Sequence, residues 1–350
     1  MERKLVSVQR ILEVTPIEGS DFIERIKILG WELVSKKGNF KVGDLACYFE
    51  TDSLLPFADW SSFLWKKGDD GKPTFRLKTV KLRGQVSQGL ALPLSILVGK
   101  KFPTDQRENP VYEWHEGQEI TALLGVTKYE PPIPAQLAGV VKGLFPCFVP
   151  KTDELRVQGA PSVLQEIAGK EVYITTKCDG SSCTIYYNHG DYGVCSRNLE
   201  FKEEDTSTFS EVARKYDLKA KLTALGRNLA IQAECCGEGI QKNRMGLKGH
   251  DLFVFNVYNI DSAEYLNMAD AFEIADKLGL HTVPVDAIMV AQNDWTVEKL
   301  LKLAEGMYPG TSNPREGIVV RPVVECYSAE LKGRLSFKII NNTHLINGGD

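Results

Sequence analysis

Short stretches of alternating apolar and polar residues, separated by turn signals, recur through the first part of the chain. The clearest are KLVSVQRILEV, RIKILGWELV, GDLACYFET, FRLKTVKLRG and QEITALLGV, all within residues 4–126. Alternation with period two is typical of strands that bury one face, and few helical patterns interrupt it here. This part of the chain is therefore predicted to fold as a small five-stranded β-barrel.

A proline-rich stretch marks the end of this pattern. KYEPPIPAQLAG, residues 128–139, combines prolines with small residues, as a linker does. Because an OB-like barrel is the commonest five-stranded barrel, we predict an OB-like nucleic-acid-binding domain at residues 1–128 and a linker at 129–144. A second domain is predicted at residues 145–350.

The second predicted domain mixes long strands with helices. AEYLNMADAFEIADKLGL and WTVEKLLKLAEGM both have apolar residues at helical spacing, and each pattern closes near a glycine. The intervening apolar segments favour an extensive antiparallel sheet. The whole chain is thus predicted to be α+β.

Composition narrows the classes of function. The net charge of the chain is −4, so any nucleic-acid site must be a local patch. No apolar run is long enough to span a bilayer, and MERKLVSVQR lacks the apolar segment of a signal peptide, so we expect a cytoplasmic or nuclear location. The eight cysteines form no CxxC pair and are expected to be reduced thiols.

One candidate basic patch lies within the predicted barrel. TFRLKTVKLRGQVSQG places Arg76 and Lys78 on one strand face, and Lys81 and Arg83 on one face further along. These charges either cover a solvated strand face or follow the phosphates of a bound nucleic acid. The sequence leaves both possibilities open.

The stretch TTKCDGSSCTIYY has unusual features for a buried strand. Lys177 and Asp179 stand two residues apart at a strand end, and Gly180 permits a tight turn beside them. A neutral lysine amine at pH 7 costs roughly 4.6 kcal/mol unless the site lowers its pKa. The lysine is therefore either a nucleophile with a depressed pKa or a surface lysine beside a turn aspartate.

TTKCDGSS resembles motif I, KxDG, of the covalent nucleotidyltransferases, the superfamily of ATP-dependent DNA and RNA ligases and mRNA capping enzymes. Further segments resemble the later motifs in family order and match their functional residues. These are CSRNLEFKE with Arg197, IQAECCGEGIQKN with Glu234, DLFVFNVYNI with Phe255, REGIVVRP with Glu316 and LSFKIINN with Lys338.

The resemblance is closest to nick-sealing RNA ligases that carry an OB domain before the nucleotidyltransferase domain. FPCFVPKTDELRVQ resembles the element that precedes the motif I lysine in that subgroup, and it places Arg156. The resemblance extends strongly over residues 145–342 and more loosely over 1–125. It implies an antiparallel-sheet, ATP-grasp-like ligase adenylyltransferase domain. Motif V departs from the family, because Ser336 and Ile340 stand where a second lysine is common.

The resemblance also implies the chemistry. Lys177 would take AMP from ATP as lysyl-AMP, and Asp179, Glu234 and Glu316 would hold Mg²⁺ or Mn²⁺. The resemblance further implies that Arg156 and Lys338 contact the phosphates, that Phe255 stacks on adenine and that Glu234 also binds the nucleotide. Arg197 is implied to be a further catalytic residue. The implied partner is a nicked duplex with an RNA 3′-OH strand, bound by a monomer without a protein partner.

Three alternatives remain open at the level of sequence. An mRNA capping guanylyltransferase would use GTP with the same lysine. A DNA ligase would share the chemistry and differ in the strand that it accepts. A catalytically dead relative would only bind nucleic acid.

Overall fold

The computed structural model describes residues 4–65, 74–108, 112–129 and 139–347. Its contacts divide the chain into two compact units. Unit 1 comprises Met1–Pro132 with Gln158–Pro161, and unit 2 comprises Ile133–Val157 with Ser162–Asp350. The predicted domain limits stay a prediction, since residues 130–138 of the predicted linker lie outside the described residues.

Unit 1 is built almost entirely from short antiparallel strands. Its strands are β1 (Val6–Pro16), β2 (Ile23–Ile28), β3 (Trp31–Lys36), β4 (Leu45–Phe49), β5 (Ser53–Pro56), β6 (Thr74–Arg76), β7 (Val80–Leu82), β8 (Gln85–Ser87), β9 (Leu90–Pro93) and β10 (Thr127–Lys128). The main sheet has the order β3-β2-β1-β4-β9, with a smaller sheet β10-β5-β6 and a hairpin β7-β8. Short 3-10 helices cover Ser62–Leu64, Leu94–Leu97 and Ala122–Leu124.

Strand β1 joins the two apolar cores of unit 1. Val6 and Val8 pack with the cluster around Phe49, whereas Ile11 packs with the cluster around Trp31. A register shift follows Ile11 where β1 pairs with β2. Such irregularities bend a strand and increase its twist, which lets one long strand serve two cores.

The structure corrects three of the predicted strands. FRLKTVKLRG divides into β6 and β7, which belong to different sheets. RIKILGWELV forms a hairpin of β2 and β3, because Leu29 takes the left-handed conformation at φ 52° just before Gly30. QEITALLGV forms the 3-10 helix Ala122–Leu124, which ends at Gly125 with φ 64°. The fifth strand of the main sheet is instead β9, which pairs with β4.

Unit 2 contains fifteen described strands and six described helices. The strands are β11 (Val141–Leu144), β12 (Leu155–Arg156), β13 (Glu171–Lys177), β14 (Ser181–Asn188), β15 (Asp191–Cys195), β16 (Leu199–Phe201), β17 (Leu229–Gly237), β18 (His250–Asn259), β19 (Glu264–Tyr265), β20 (His281–Thr282), β21 (Val285–Val290), β22 (Gly317–Pro322), β23 (Tyr327–Ser328), β24 (Gly333–Arg334) and β25 (Phe337–Ile340). The helices are α1 (Val163–Ile167), α2 (Thr208–Lys215), α3 (Leu218–Leu225), α4 (Met268–Leu278), α5 (Val297–Leu303) and α6 (Asn342–Ile346). A 3-10 helix covers Val157–Gly159, and its last two residues belong to unit 1.

Two sheets form the frame of unit 2. The larger sheet has the order β11-β16-β15-β14-β17-β18-β19, with β20 beside β18. The smaller sheet has the order β12-β25-β22-β13-β21, and β23 and β24 form a separate hairpin. Strand β11 pairs with β16, so residues 141–144 of the predicted linker belong to the larger sheet of unit 2.

Helices cover the larger sheet. Buried residues of α2, α3 and α4, such as Val212, Leu222 and Ile274, pack with strand residues such as Ile231. Helix α4 ends at Gly279 with φ 71°, as its sequence pattern predicts. In the other predicted helix, α5, the Thr296 side chain accepts a hydrogen bond from the Lys299 N–H. Mixed helices and mainly antiparallel sheet confirm the predicted α+β class.

Two simple expectations can be checked against the structure. Every one of the eight cysteines is described, and each is a free thiol. Within the described residues, no helix is long and apolar enough to cross a membrane.

Candidate active site

The candidate site lies where the chain passes from the smaller to the larger sheet of unit 2. Strand β13 ends at Lys177, and β14 begins in the other sheet at Ser181. At Gly180 a Cβ atom would stand only 2.4 Å from the Cys235 carbonyl oxygen and 2.9 Å from Cγ of Glu234. Only glycine allows this close approach, which brings the turn after Lys177 against β17.

Lys177 faces a carboxylate from the neighbouring strand. Its Nζ atom is 2.9 Å from Oε1 of Glu316, and the two side chains are 22% and 15% exposed. Lys177 pairs with Gly317 in the β13–β22 ladder, so the register places Glu316 beside the lysine. Gly317 has φ 155°, and a Cβ there would lie 2.0 Å from the Ile339 carbonyl oxygen.

The electrostatics of Lys177 differ from the sequence expectation. Burial lowers the pKa of Lys177, but the carboxylates of Glu316 and Glu234 outweigh burial and raise this pKa above its ordinary value of 10.5. This direction is opposite to the depression that a nucleophilic lysine needs, and the depressed pKa stays a prediction. The amine is held here as an ammonium group between carboxylates.

Two further charged groups of the site have pKa values near neutrality. Burial raises the pKa of Glu234 to about 7, against the favourable effect of Lys177. Burial also lowers the pKa of Lys338 to about 8, and repulsion from Lys177 and Arg156 acts in the same direction. Lys338 lies on β25 opposite Val319 of β22, and β22 separates it from β13, the strand of Lys177.

Asp179 has a cationic partner that sequence analysis missed. Nη1 of Arg244 is 3.3 Å from Oδ2 of Asp179 and 3.0 Å from a ring nitrogen of His344, and all three side chains are buried. Burial raises the pKa of Asp179, and the charge of Glu316 adds to the increase. Arg244 directly follows the GEGIQKN match, and His344 follows the LSFKIINN match, so their positions beside matched segments were the available signal.

The carboxylates of the site could hold a metal ion. Asp179, Glu316 and His344 each offer a ligand atom, and these atoms lie within 4.8 Å of one another. This group shares two members with the predicted set of Asp179, Glu234 and Glu316. Carboxylate oxygens are the ligands that Mg²⁺ and Mn²⁺ prefer. The same carboxylates already attract the cations Lys177 and Arg244, so they favour positive charge at this place. The residues therefore fit a hard divalent cation.

The three remaining predicted site residues, Arg156, Arg197 and Phe255, lie in different environments. Arg156 pairs with Lys338 in the parallel ladder of β12 and β25, which brings these two cations side by side. Arg197 lies further out, where its Nη2 atom is 2.6 Å from Oδ1 of Asp153 and its side chain is 54% exposed. Phe255 packs with the cluster of buried residues that includes Cys178, next to Lys177 in the chain.

The predicted basic stripe is less uniform than the sequence suggests. Arg76 forms an ion pair of 2.6 Å with Asp52 and lies 3.9 Å from the ring centre of Tyr129. Its strand β6 and the strand β7 of Lys81 belong to different sheets. Lys78, between β6 and β7, is exposed, and so are Lys81 and Arg83 on the β7–β8 hairpin, so these three are the accessible part of the stripe.

Comparisons with known proteins agree with the resemblance seen in the motifs. Residues 5–94 match the family model of an OB-fold domain, and residues 170–340 match that of RNA ligase. The OB-like prediction for unit 1 is thereby confirmed. A search of curated proteins gives no match.

Solved structures match along almost the whole chain. The Naegleria gruberi RNA ligase with PPi is 36% identical, with a TM-score of 0.83 over 98% of this chain and 98% of that chain. A mutant of that ligase with ATP and Mn is 35% identical, with a TM-score of 0.84 over 99% and 100% of the two chains. A second mutant, with AMP and Mn, is 35% identical, with a TM-score of 0.83 over 98% of each chain. Since this identity extends over nearly the full length of both chains, the protein belongs to the RNA ligase family and carries an OB-fold domain ahead of its ligase domain.

Proposed function

We propose that the protein is an ATP-dependent RNA ligase that seals nicks between a 3′-OH and a 5′-phosphate in a duplex. The observation that carries the proposal is the enclosed pair of Lys177 and Glu316, with 2.9 Å between Nζ and Oε1. The pair stands within the segment that matches the RNA ligase family. A lysine amine enclosed with carboxylates and further cations is the arrangement expected for covalent nucleotidyl transfer.

In the first step, the Lys177 amine attacks the α-phosphorus of ATP. A P–N bond forms, the P–O bond to pyrophosphate breaks, and the lysine loses its ammonium protons to solvent. Because Glu316 and Glu234 raise the lysine pKa, those carboxylate charges must be offset before the amine can react. The hydrogen-bonded frame of β13 and β22 keeps the lysine directed while this happens.

Asp179, Glu234 and Glu316 would hold a Mg²⁺ or Mn²⁺ ion, with His344 as a further neighbour. Support comes from their oxygen donors and from the Naegleria gruberi ligase mutants that contain ATP or AMP with Mn. When bound, the ion neutralises carboxylate charge and stabilises the charge on the transferring phosphate.

Cations and one aromatic ring would bind the nucleotide. Lys338 and Arg156, side by side on β25 and β12, would contact the phosphate oxygens on which charge accumulates. Arg197, which is more exposed, would contact phosphates further out. Phe255 would stack on adenine, since it packs beside the turn that follows the nucleophile.

The later steps transfer AMP to the nicked strand. The 5′-phosphate of the nick attacks the lysyl-AMP phosphorus and releases Lys177. The neighbouring 3′-OH then attacks the adenylylated 5′-phosphate, so that a phosphodiester forms and AMP leaves. Lys338 and Arg156 would stabilise the phosphate charge in each transfer.

Unit 1 would bind the nucleic acid. Its match to an OB-fold domain and the exposed cations Lys81 and Arg83 support this role. We propose residues 1–128 as the nucleic-acid-binding domain and 145–350 as the nucleotidyltransferase domain. A monomeric state without a protein partner and a cytoplasmic or nuclear location stay predictions from the sequence.

The test is transfer of label from nucleotide to protein and then to a nicked duplex. The protein is incubated with Mg²⁺ and α-labelled ATP or GTP, and labelled protein is chased with a duplex that has an RNA 3′-OH at the nick. We expect label from ATP that disappears in Lys177→Ala and Lys177→Arg. The arginine variant is the matched control, because it keeps a positive charge beside Glu316 without a nucleophilic amine.

Each other outcome changes the assignment. Label from GTP alone would indicate capping chemistry. Equal sealing of an all-DNA nick would indicate a DNA ligase. Absence of label from either nucleotide would indicate a binding protein without ligase activity.

A further inference from the structure

The hydroxyl group of Tyr308 bridges the two charged residues of the site through their main chains. It donates a hydrogen bond of 2.8 Å to the Lys177 carbonyl oxygen and accepts one of 3.1 Å from the Glu316 N–H. Tyr308 is only 2% exposed. A single buried oxygen atom therefore touches the backbone of both partners in the Lys177–Glu316 ion pair.

These backbone groups lie at the end of a strand ladder, where regular pairing stops. Lys177 and Gly317 are the last pair of the β13–β22 ladder, and Glu316 lies just outside β22. The Glu316 N–H is bonded to Tyr308 instead of to a strand, and the Glu316 carbonyl accepts from the Asn341 N–H at 2.8 Å. Tertiary contacts thus fix both backbone groups of Glu316.

The segment that carries Tyr308 is itself held firmly. Met307 and Pro314 form a β-bridge, and the Tyr308 N–H donates to the Asn313 carbonyl at 3.0 Å. The Asn313 side chain donates to the Arg244 carbonyl at 2.9 Å, which ties the segment to the partner of Asp179. These contacts therefore hold the Tyr308 hydroxyl in a defined position.

We propose that Tyr308 is a positioning residue for formation of lysyl-AMP, an inference that rests on the proposed function. Its hydroxyl sets the main-chain separation of Lys177 and Glu316, and so directs the amine toward the phosphorus that it attacks. In that step a P–N bond forms, a P–O bond breaks with loss of pyrophosphate, and the lysine protons pass to solvent. The rate of such a step depends steeply on the position of the attacking atom.

The substitution Tyr308→Phe removes the bridge and keeps the ring. We expect the saturating rate of lysyl-AMP formation to fall about 10- to 100-fold, because displacements of about 1 Å have effects of this size. The ATP concentration for half-saturation should stay within about threefold, since the Tyr308 hydroxyl bonds main-chain atoms of Lys177 and Glu316 and not the side chains proposed to contact the nucleotide. A fall in the saturating rate at an almost unchanged half-saturating ATP concentration distinguishes a positioning role from a loss of ATP binding.

The matched control is Tyr186→Phe. Tyr186 is 1% exposed, and its hydroxyl donates to Glu200 at 2.6 Å, with an Asp191 oxygen 3.1 Å away. It is thus a buried, hydrogen-bonded tyrosine of the same unit, placed in the larger sheet. We expect this variant to form lysyl-AMP within about threefold of the wild-type rate.

A second measurement keeps the test decisive if Tyr308→Phe is unstable. Sealing of a nick with a pre-adenylylated 5′ end does not use Lys177 as a nucleophile, so it should fall less than lysyl-AMP formation. Equal loss of both steps, as unfolding would cause, overturns the inference. If Tyr308→Phe and Tyr186→Phe form lysyl-AMP at equal rates, the inference about Tyr308 is wrong and the proposed function is unaffected. If the wild-type protein takes up no label, the proposed function is wrong as well.

Discussion

The charges of the candidate active site and those of the β7–β8 hairpin stand in opposite surroundings. In unit 2, Lys177 and Glu316 are mostly enclosed and 2.9 Å apart, and the pKa of Lys177 departs from its ordinary value. In unit 1, Lys81 and Arg83 are exposed on a short hairpin. Water screens exposed charges, but enclosed charges act on one another.

This difference predicts how the two regions respond to substitution. Enclosed charges are coupled, so replacing one changes the stability of the fold and the protonation of its neighbours. Exposed charges act nearly independently and through the salt dependence of binding. Three experiments test this contrast, beginning with the largest expected effect.

Replacing Lys338 with methionine should stabilise the fold while weakening ATP binding. The pKa of Lys338 in the folded protein is about 8, below its ordinary value of 10.5. Because the folded pKa of Lys338 is lowered, the wild-type protein is most stable above pH 10.5, where the amine is neutral in both the folded and the unfolded state. It loses stability as the pH falls through 8. At pH 7 the ammonium therefore destabilises the fold relative to a neutral side chain, by at most about 3 kcal/mol. Lys338→Met should raise the free energy of unfolding at pH 7 by up to this amount.

Urea unfolding at pH 7 and pH 10 measures this effect, and ATP binding is measured in parallel. The gain in stability should shrink toward pH 10, where wild-type Lys338 is neutral. Lys41→Met, at an exposed position in unit 1, is the control and should change stability little. A Lys338→Met protein that is less stable at pH 7 would contradict the proposed cost of this half-buried charge.

Replacing Glu234 with glutamine should give a slightly smaller effect, with the opposite dependence on pH. The folded pKa of Glu234 is about 7, above its ordinary value of 4.5. Because the folded pKa of Glu234 is raised, the wild-type protein is most stable below pH 4.5, where the carboxyl is neutral in both the folded and the unfolded state. It loses stability as the pH rises through 7. Glutamine stays neutral, so Glu234→Gln should gain stability relative to wild type between pH 4.5 and 7, by at most about 3 kcal/mol.

Thermal unfolding of both proteins from pH 4.5 to pH 8 checks this prediction. At pH 7 about half of the Glu234 carboxyls are still protonated, so the gain there is not yet complete. Glu203→Gln is the matched control, because Glu203 is an exposed surface carboxylate. A constant difference between Glu234→Gln and wild type across this range would rule out the raised pKa.

Replacing Lys81 and Arg83 together with alanine should have the smallest effect. If the hairpin contacts phosphates, the double variant should bind a nicked duplex a few-fold more weakly, and its salt slope should fall by about two at most. Formation of lysyl-AMP should be unchanged, because that step needs no nucleic acid. Arg107→Ala is the control, since Arg107 is paired with Asp105 in the same unit. Unchanged binding and salt slope in the double variant would exclude the hairpin as a phosphate contact.

The sequence alone determined the class of fold and the residues that converge on the site. Period-two alternation and helical spacing depend on local geometry, which residue order records directly. The motif matches predicted Lys177, Asp179, Glu234, Glu316 and Lys338, and the structure brings these five together at the junction of two sheets. Local pattern failed at QEITALLGV, because a short apolar run can be buried by a helical turn as well as by a strand.

Only the tertiary structure decided the electrostatics and the support of the site. The pKa of Lys177 depends on distances to Glu316 and Glu234, which lie far away in sequence. Tyr308 and Arg244 act through contacts across the fold and carry no motif of their own. Local spacing cannot encode these contacts, because through-space energies depend on which strands become neighbours.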